Sequence, residues 1–224
     1  MFIFKYLLTP SFIKHVYVSF KKNHSVVRLI HNFFLKSLVL NGNVIDLGAG
    51  AGSNLSYYDY INISKAFVEK SDLFKDSDKE INLEKKLEIH SEVYDHVILF
   101  NTLEHIQNYK NLISEISRII KKKGKLEIFV PFLIYYHPDP KDFFRPTHFY
   151  LKNILEENGF EVKINLIGVG ASIVSYQNLY RYLKFPLLKT IFFIFFEILN
   201  KIIEIFSKDH WKYYCGTHAT CIKK

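Results

Sequence analysis

The feature that most constrains this fold is a short apolar run followed by three closely spaced glycines, within Asn43–Asn54. The run Val44–Leu47 is typical of a strand that is buried on both faces of a parallel sheet. The glycines follow at alternate positions, namely Gly48, Gly50 and Gly52. Glycine admits positive φ angles and lets a ligand approach the main chain closely. The pattern therefore predicts a strand, a turn and a short helix that enclose a nucleotide at the carboxyl edge of an open α/β sheet.

The spacing of these glycines distinguishes two kinds of nucleotide site. Dinucleotide-binding proteins use Gly-x-Gly-x-x-Gly, whereas this chain has Gly-x-Gly-x-Gly directly after Asp46 and Leu47. The segment resembles motif I of the class I S-adenosylmethionine-dependent methyltransferases. The resemblance implies that the glycine loop holds the adenosine half of S-adenosylmethionine and that Asp46 helps to hold the methionine half.

An acidic residue on the next strand is the expected ribose ligand. Lys65–Glu69 is predicted to be the second strand, and Glu69 lies 23 residues after Asp46. That distance is close to the interval of about 20 residues at which an acid reaches a ribose in such sheets. Asp59 and Asp72 are rivals for this role, and an exposed surface glutamate is the alternative interpretation of Glu69.

The third and fourth strands supply the other candidate cofactor residues. Ile81–Leu87 resembles the third strand of the family, which implies an adenine contact through Asn82, whose amide oxygen accepts hydrogen bonds. Val93–Phe100 is predicted to be the fourth strand. By the same resemblance its end lines the methionine half of the cofactor, so Phe100 and Asn101 are candidate cofactor residues.

A glutamate–histidine pair follows the fourth strand. The segment Tyr94–Ile106 resembles the "Phe-Asp-x-Val…Leu-Glu-His" segment of these methyltransferases, and the resemblance implies that His105 faces the substrate. From the residues alone, Glu104 and His105 equally suit the first turn of a helix, where the helix dipole favours an acid. Both interpretations stay open.

The loop Phe132–Pro146 follows the predicted fifth strand, at the edge where α/β active sites are built. It resembles the "His-x-x-Pro-x-Asp-x-x-Arg" loop of a type 11-like branch of these methyltransferases linked to polysaccharide and cell-envelope biosynthesis. His137, Asp139, Asp142 and Arg145 are therefore candidate substrate-side residues. The alternative is a rigid surface loop held by an Arg–Asp pair. No metal is predicted, because no second ligand cluster accompanies the loop.

The remaining segments complete the expected domain organisation. Residues 1–40 are predicted to form a helical segment ahead of a methyltransferase domain over residues 41–224. Tyr109–Ile120 has the apolar spacing of a helix, which the lysines 121–123 and Gly124 are expected to end. Phe160–Ile167 and Gly216–Ile222 match the antiparallel pair that closes the methyltransferase sheet. A helical insertion, residues 168–214, lies between these two strands.

Within the insertion, Phe185–Phe206 combines a polar stripe with a broad apolar face. Charged side chains interrupt the segment, so it does not predict a membrane span. Three interpretations stay open: a helix docked on its own domain, a homodimer interface, or a helix on a membrane surface.

Composition limits the classes of partner and the compartment. With 49% apolar and 23% charged residues, a disordered chain is excluded. The net charge of +8 is spread without an arginine-rich block, which favours a membrane surface or polyanionic substrate over nucleic acid. Cys215 and Cys221 lie too far apart on one strand to form a disulfide, so a cytoplasmic setting is expected. Membrane contact would place the protein at the inner membrane surface.

The motifs together predict an S-adenosylmethionine-dependent methyltransferase with a Rossmann-like, mostly parallel seven-stranded sheet, an antiparallel last strand and helices on both faces. A small molecule is the expected acceptor, and the family resemblance favours a hydroxyl of a saccharide or lipid-linked glycan. His105 and His137 are the candidate bases, Asp139 would orient one of them, and Arg145 would bind an acidic substrate group. The alternatives are a non-catalytic cofactor-binding or membrane-surface module of the same fold, and a nicotinamide-dependent oxidoreductase.

Overall fold

The computed structural model of the chain describes residues 9–50, 52–72, 78–138 and 141–224, with the backbone alone at 52–55. The predicted site residue Asp139 lies outside these residues. The strands are β1 (Val39–Leu47), β2 (Asn62–Asp72), β3 (Lys79–Glu80), β4 (Tyr94–Phe100), β5 (Ile120–Pro131), β6 (Phe160–Val169) and β7 (Tyr214–Lys223). The α-helices are α1 (Pro10–Lys21), α2 (Val26–Phe34), α3 (Tyr109–Ile119), α4 (His148–Glu157), α5 (Ala171–Leu179) and α6 (Pro186–Phe206).

The seven strands form one sheet in the order β3-β2-β1-β4-β5-β7-β6. Strands β1 to β5 pair in parallel, with Asp46 opposite Lys70 on β2 and opposite Ile98 on β4. The last strand runs antiparallel. Lys223, near its end, donates to the carbonyl of Ile120 at the start of β5. The predicted fold class is confirmed.

The sheet, α3 and α4 share one apolar core. Its fully buried members come from the inner faces of β1, β4 and β5 and from one face of each helix; they include Ile45, Leu47, Val97, Leu99, Leu112, Ile116, Ile128 and Leu155. Burial of such side chains stabilises each by about 1.5–3 kcal/mol relative to exposure. The core therefore fixes the carboxyl ends of β1, β4 and β5, the edge where the candidate site is found.

The remaining helices form a second compact unit, made of residues up to 34, 132–135 and 166–216. Within it, α6 packs against α1 and α5. The Val27 N–H donates to Gln177 Oε1 at 2.8 Å, which joins α2 to α5. The N-terminal helices and the insertion thus belong to the same unit. Among the described residues, no helix has both the length and the apolar character that crossing a membrane requires.

Some predicted element boundaries were wrong. The lysine run does not end α3, because the chain passes directly into β5 at Ile120. A register shift in the β4–β5 pairing accommodates the run, and Lys123 adopts a φ of 60°. The predicted third strand is also wrong, since β3 contains only Lys79–Glu80 and Ile81–Leu87 forms turns. Cys215 and Cys221 are free and buried, as expected.

Candidate active site

The glycine loop closes over the end of β2. Gly48 and Gly50 have φ angles of 75° and 65°, which side-chain-bearing residues rarely adopt. The N–H groups of Gly48 and Ala49 both donate to the Ser71 carbonyl, at 2.9 and 3.1 Å. A Cβ at Gly48 would lie 2.5 Å from Thr102 Cγ2, so only glycine fits there. Gly52 begins a 3₁₀ helix, Gly52–Asp59, where the sequence predicted a short helix.

Asp46 is a buried carboxylate at the end of β1, with an exposed fraction of 1%. Tyr58 donates its hydroxyl to Asp46 Oδ2 at 2.6 Å, and Tyr57 donates to the same oxygen. Burial raises the pKa of Asp46 to about 6, against the opposing effect of the two tyrosines and Lys70. The two tyrosines were missed in the sequence, because only the fold brings the 3₁₀ helix back over Asp46.

The acid nearest the glycine loop is Asp72. It ends β2, and its Oδ2 accepts the Gly50 N–H at 2.7 Å. Glu69, the predicted ribose ligand, lies three residues earlier and accepts a hydrogen bond from the Tyr94 hydroxyl. The predicted strand ended at Glu69, whereas the real strand continues to Asp72, so the rival residue occupies the strand end.

The other predicted cofactor residues lie in different surroundings. Asn82 is in a turn, where its Oδ1 accepts the Glu84 N–H at 2.9 Å. Phe100 ends β4, and its ring meets that of Tyr57 edge-on with centroids 5.3 Å apart. Asn101 follows with a φ of 52°, a left-handed conformation that asparagine tolerates. Phe100 and Asn101 are thus at the predicted edge of the sheet.

A threonine connects the glycine loop to the segment after β4. Thr102 Oγ1 lies 3.3 Å from the Gly48 carbonyl and 3.1 Å from that of Phe100. Two residues later the chain reaches Glu104 and His105 in a one-turn 3₁₀ helix, Leu103–His105. This contact was not visible in the sequence, since Thr102 and Gly48 are 54 residues apart.

Two predicted histidines, 32 positions apart in the sequence, meet beside Glu104. The His105 and His137 rings are edge-to-face with centroids 5.3 Å apart. Their Nε2 atoms lie 3.8 and 3.9 Å from Glu104 Oε1. The loop after β5 is held here by two hydrogen bonds, from Phe143 N–H to the Glu104 carbonyl and from His105 Nδ1 to the Lys141 carbonyl.

Arg145, another predicted substrate-side residue, lies beside the two histidines. It forms an ion pair with Asp142 Oδ2 and places Nη2 3.1 Å from His137 Nδ1. Asp142 Oδ2 also accepts the His137 N–H at 3.1 Å. The Arg–Asp pair of the alternative sequence interpretation is therefore present, and it also holds His137. The substrate-side role of these residues stays a prediction.

Glu104 is the residue of this cluster that sequence reasoning missed. It is 0% exposed, and neither carboxylate oxygen has a hydrogen-bond partner among the described residues. Burial raises its pKa to about 8, with Arg145 opposing and Asp142 adding to the effect. The only feature of the sequence that pointed to Glu104 was its position next to His105, after a buried strand. Glu104, His105 and His137 each offer one ligand atom within 4.8 Å of the others, a separation suited to a metal ion.

Several known structures have a similar fold. A SAM dependent methyltransferase from Archaeoglobus fulgidus is 17% identical, with a TM-score of 0.55 over 92% of this chain and 98% of that one. The [4+2]-cyclase SpnF is 13% identical, with a TM-score of 0.56 over 88% and 81%. Haemonchus contortus phosphoethanolamine N-methyltransferase 2, solved with S-adenosyl-L-methionine, is 14% identical, with a TM-score of 0.52 over 87% and 52%.

These likenesses show the fold alone, and the presence of a cyclase among them illustrates that fold does not fix a reaction. None of the curated proteins matches the chain. The family model of the methyltransferase domain, however, matches residues 19–163, which is more than half of the chain. The prediction of a methyltransferase with S-adenosylmethionine as its cofactor is confirmed at this level. The chain belongs to the methyltransferase-domain family.

Proposed function

We propose that this methyltransferase moves the methyl group of S-adenosylmethionine to a hydroxyl of a saccharide or lipid-linked glycan precursor. The observation that carries the proposal is the Thr102 contact, because it joins a cofactor loop to a histidine cluster. Thr102 Oγ1 lies 3.3 Å from the Gly48 carbonyl, and Glu104 follows two residues later. A methyl donor in the loop would therefore have the cluster as its neighbour on the acceptor side.

The cofactor half of the site would consist of the loop and two acids. Gly48, Gly50 and Gly52 would leave room for the nucleoside against the main chain. Asp72 would bind the ribose hydroxyls, since a carboxylate that already accepts the Gly50 N–H has further lone pairs. Asp46 would hold the methionine half, with Phe100 and Asn101 lining it.

The reaction is a direct displacement. The sulfur–methyl bond breaks, an oxygen–methyl bond forms, and the acceptor hydroxyl gives up its proton, leaving S-adenosylhomocysteine. Since the sulfonium already activates the methyl carbon, alignment of the three reacting atoms supplies much of the rate. His105 or His137 would accept the proton of the hydroxyl as a general base. Arg145 would bind an acidic group of the acceptor, and Asp139 keeps its predicted role in orienting a histidine.

Two measurements test the proposal. Calorimetry should detect binding of S-adenosylhomocysteine and none of NAD; NAD binding alone would instead favour an oxidoreductase. Incubation of the protein with cell-envelope extract and methyl-labelled cofactor should label a glycan. Label in nucleic acid would contradict the glycan acceptor, and cofactor binding without transfer to any extract would favour a non-catalytic module.

The helical unit supports a membrane surface as a partner. Helix α6 exposes large apolar side chains along one face: Leu187, Leu188, Ile191, Phe192, Phe195, Ile198, Ile202, Ile205 and Phe206. Its charged groups lie off this face, since Glu197 is buried and Lys201 pairs with Glu204 at 2.6 Å. Exposed cations flank the helix at Arg181, Lys184, Lys208 and Lys212. An apolar face with cations at its ends is complementary to an anionic bilayer surface.

Vesicle binding distinguishes this partner from a homodimer. The protein should sediment with phosphatidylglycerol-containing vesicles, and Phe195→Glu should weaken that binding about tenfold, since it puts a charge in the buried face. Phe67→Glu is the matched control, because Phe67 on β2 is also exposed, at 68%. Equal binding by both variants would contradict membrane contact. If Phe195→Glu lowered the molecular mass of the protein in solution without changing vesicle binding, the apolar face would be a dimer interface.

A further inference from the structure

Three possible metal-ligand atoms converge at one point after β4. Glu104 Oε1 lies 3.8 Å from His105 Nε2 and 3.9 Å from His137 Nε2. All three lie within 4.8 Å of one another. Ligands at about 2.0–2.1 Å from a tetrahedral ion stand about 3.3 Å apart, so a shift of about half an ångström would bring these atoms into coordination.

The hydrogen bonds of His105 determine which of its atoms faces the cluster. Its Nδ1 lies 2.5 Å from the Lys141 carbonyl oxygen, which can only accept, so Nδ1 carries the proton. In the neutral ring Nε2 then bears a lone pair, directed at Glu104. A backbone carbonyl behind the imidazole is the arrangement that orients histidines bound to metals.

Glu104 provides the second, independent observation. Its carboxylate is completely buried, and neither oxygen has a hydrogen-bond partner among the described residues. A buried carboxylate without a partner is costly, and buried charges are ordinarily paired or coordinate metals. A cation between Glu104 and the two imidazoles would remove this cost.

We propose that Glu104, His105 and His137 bind a divalent transition-metal ion. Two imidazoles and one carboxylate suit Zn²⁺, Co²⁺ or Fe²⁺ and disfavour Mg²⁺, which prefers oxygen ligands. The sequence predicted no metal because the His137 loop has no second ligand cluster of its own. The fold supplies that cluster from the segment after β4.

The surroundings of His137 determine what metal binding requires of its ring. Its Nδ1 lies 3.7 Å from Asp142 Oδ2 and 3.1 Å from Arg145 Nη2. Since Arg145 can only donate, Nδ1 accepts from it and the proton of the neutral ring lies on Nε2. A metal ion at Nε2 would displace this proton, and a proton placed on Nδ1 instead would face Asp142. The positive charge of Arg145 does not oppose the ion directly, because Arg145 is paired with Asp142.

Three protein ligands leave a coordination position for a further oxygen. A metal there would polarise that oxygen and lower the pKa of a bound hydroxyl. For an acceptor hydroxyl, the ion would stabilise the oxyanion, and the proton would pass to solvent water because both imidazoles would then be ligands. The metal site itself stands on the geometry of the cluster, whereas this use of it rests on the proposed methyl transfer.

Cobalt binding tests the proposal without reference to activity. The untagged chain, treated with chelator, is titrated with Co²⁺ and followed by visible absorption. We expect one equivalent with the intense absorption of a low-coordinate site, displaced by Zn²⁺. Glu104→Gln, His105→Ala and His137→Ala should each weaken binding at least about tenfold. His210→Ala should leave it unchanged, since His210 Nε2 is also 3.8 Å from a glutamate, Glu204, but is not part of a metal-ligand group.

Unfolding curves for each variant identify any loss of binding that reflects loss of folding. Co²⁺ affinity that is unchanged in folded Glu104→Gln and His105→Ala would overturn the metal site, as would absence of the low-coordinate absorption. Calorimetry with S-adenosylhomocysteine separates the two proposals. Retained cofactor binding and methyl transfer without metal binding would refute the metal site alone. Metal binding without methyl transfer would refute the proposed function alone.

Discussion

Two buried glutamates, one on β5 and one just after β4, have opposite surroundings. Glu127 on β5 is 2% exposed and contacts His218 Nε2 at 2.9 Å and the Thr220 hydroxyl at 2.8 Å. Glu104, after β4, is 0% exposed and has no hydrogen-bond partner among the described residues. A carboxylate whose bonds are satisfied contributes to a folded core, whereas an unsatisfied one lowers stability and persists for another reason. The comparison favours a structural role for Glu127, and the proposed metal site would give Glu104 a functional one.

The largest predicted effect is on the satisfied glutamate. Glu127→Ala leaves His218 and Thr220 without their buried acceptor and creates a cavity. The free energy of unfolding should fall by about 3 kcal/mol in urea titrations. Thr220→Val, which removes a single bond, should cost about 1 kcal/mol. A Glu127→Ala variant as stable as the native protein would show that the hydrogen bonds of Glu127 do not stabilise the fold.

Glu197 on α6 extends the comparison to pH. Burial raises the pKa of this carboxyl from 4.5 to about 7. Between these values the unfolded chain is ionised and the folded chain is not, so Glu197 lowers stability as pH rises from about 4.5 to about 7. Glu197→Gln removes this dependence. The variant should match the native protein near pH 4.5 and exceed it by about 2 kcal/mol at pH 8. Equal stability at both pH values would show that the carboxyl is not desolvated.

A substitution at Gly48 tests the glycine loop independently of the Glu104 cluster. Gly48→Ala combines a φ of 75° with a Cβ placed 2.5 Å from Thr102 Cγ2. We expect S-adenosylhomocysteine binding to weaken at least about tenfold by calorimetry, because the loop must shift. Gly159→Ala is the control, since it also has a positive φ, 85°, but nothing within 4 Å of the added Cβ. Similar losses in both variants would mean that general strain, and not the loop, reduces binding.

The smallest predicted effect on stability is at the unsatisfied glutamate. Glu104→Gln keeps the shape of the side chain and removes no protein hydrogen bond. Burial raises the pKa of Glu104 to about 8, so at pH 4 this carboxyl is mostly protonated in both the folded and the unfolded chain. The free energy of unfolding of the variant at pH 4 should therefore stay within about 0.5 kcal/mol of the native value. A loss close to that of Glu127→Ala would indicate that Glu104 has a structural partner and would invalidate the contrast.

The fold was predictable because its signals are local. The apolar run before Gly48 predicts a strand, and the spacing of apolar residues in Tyr109–Ile119 predicts a helix. Both patterns depend only on residues that are close together in the sequence. The lysine run was misassigned because Gly124 is also a common helix end, and the register shift that places it in β5 depends on pairing with β4. The length of β2, which the sequence also did not show, is the reason that Asp72 is proposed as the ribose ligand in place of Glu69.

The candidate site was only partly predictable. His105 and His137 were identified separately, but their meeting depends on hydrogen bonds between the β5 loop and the 3₁₀ turn. Glu104 was missed because nothing in the sequence shows that its carboxylate is buried without a partner. Such information belongs to packing in three dimensions, which neither residue spacing nor family resemblance contains.

The most direct test of the account is methyl transfer by Glu104→Gln. The initial rate of label transfer from S-adenosylmethionine to cell-envelope extract is compared with that of the native protein at equal folded concentration. The account predicts a rate lower by at least about 100-fold, with stability and S-adenosylhomocysteine binding retained. An unchanged rate, or no transfer by the native protein to any extract, would contradict it.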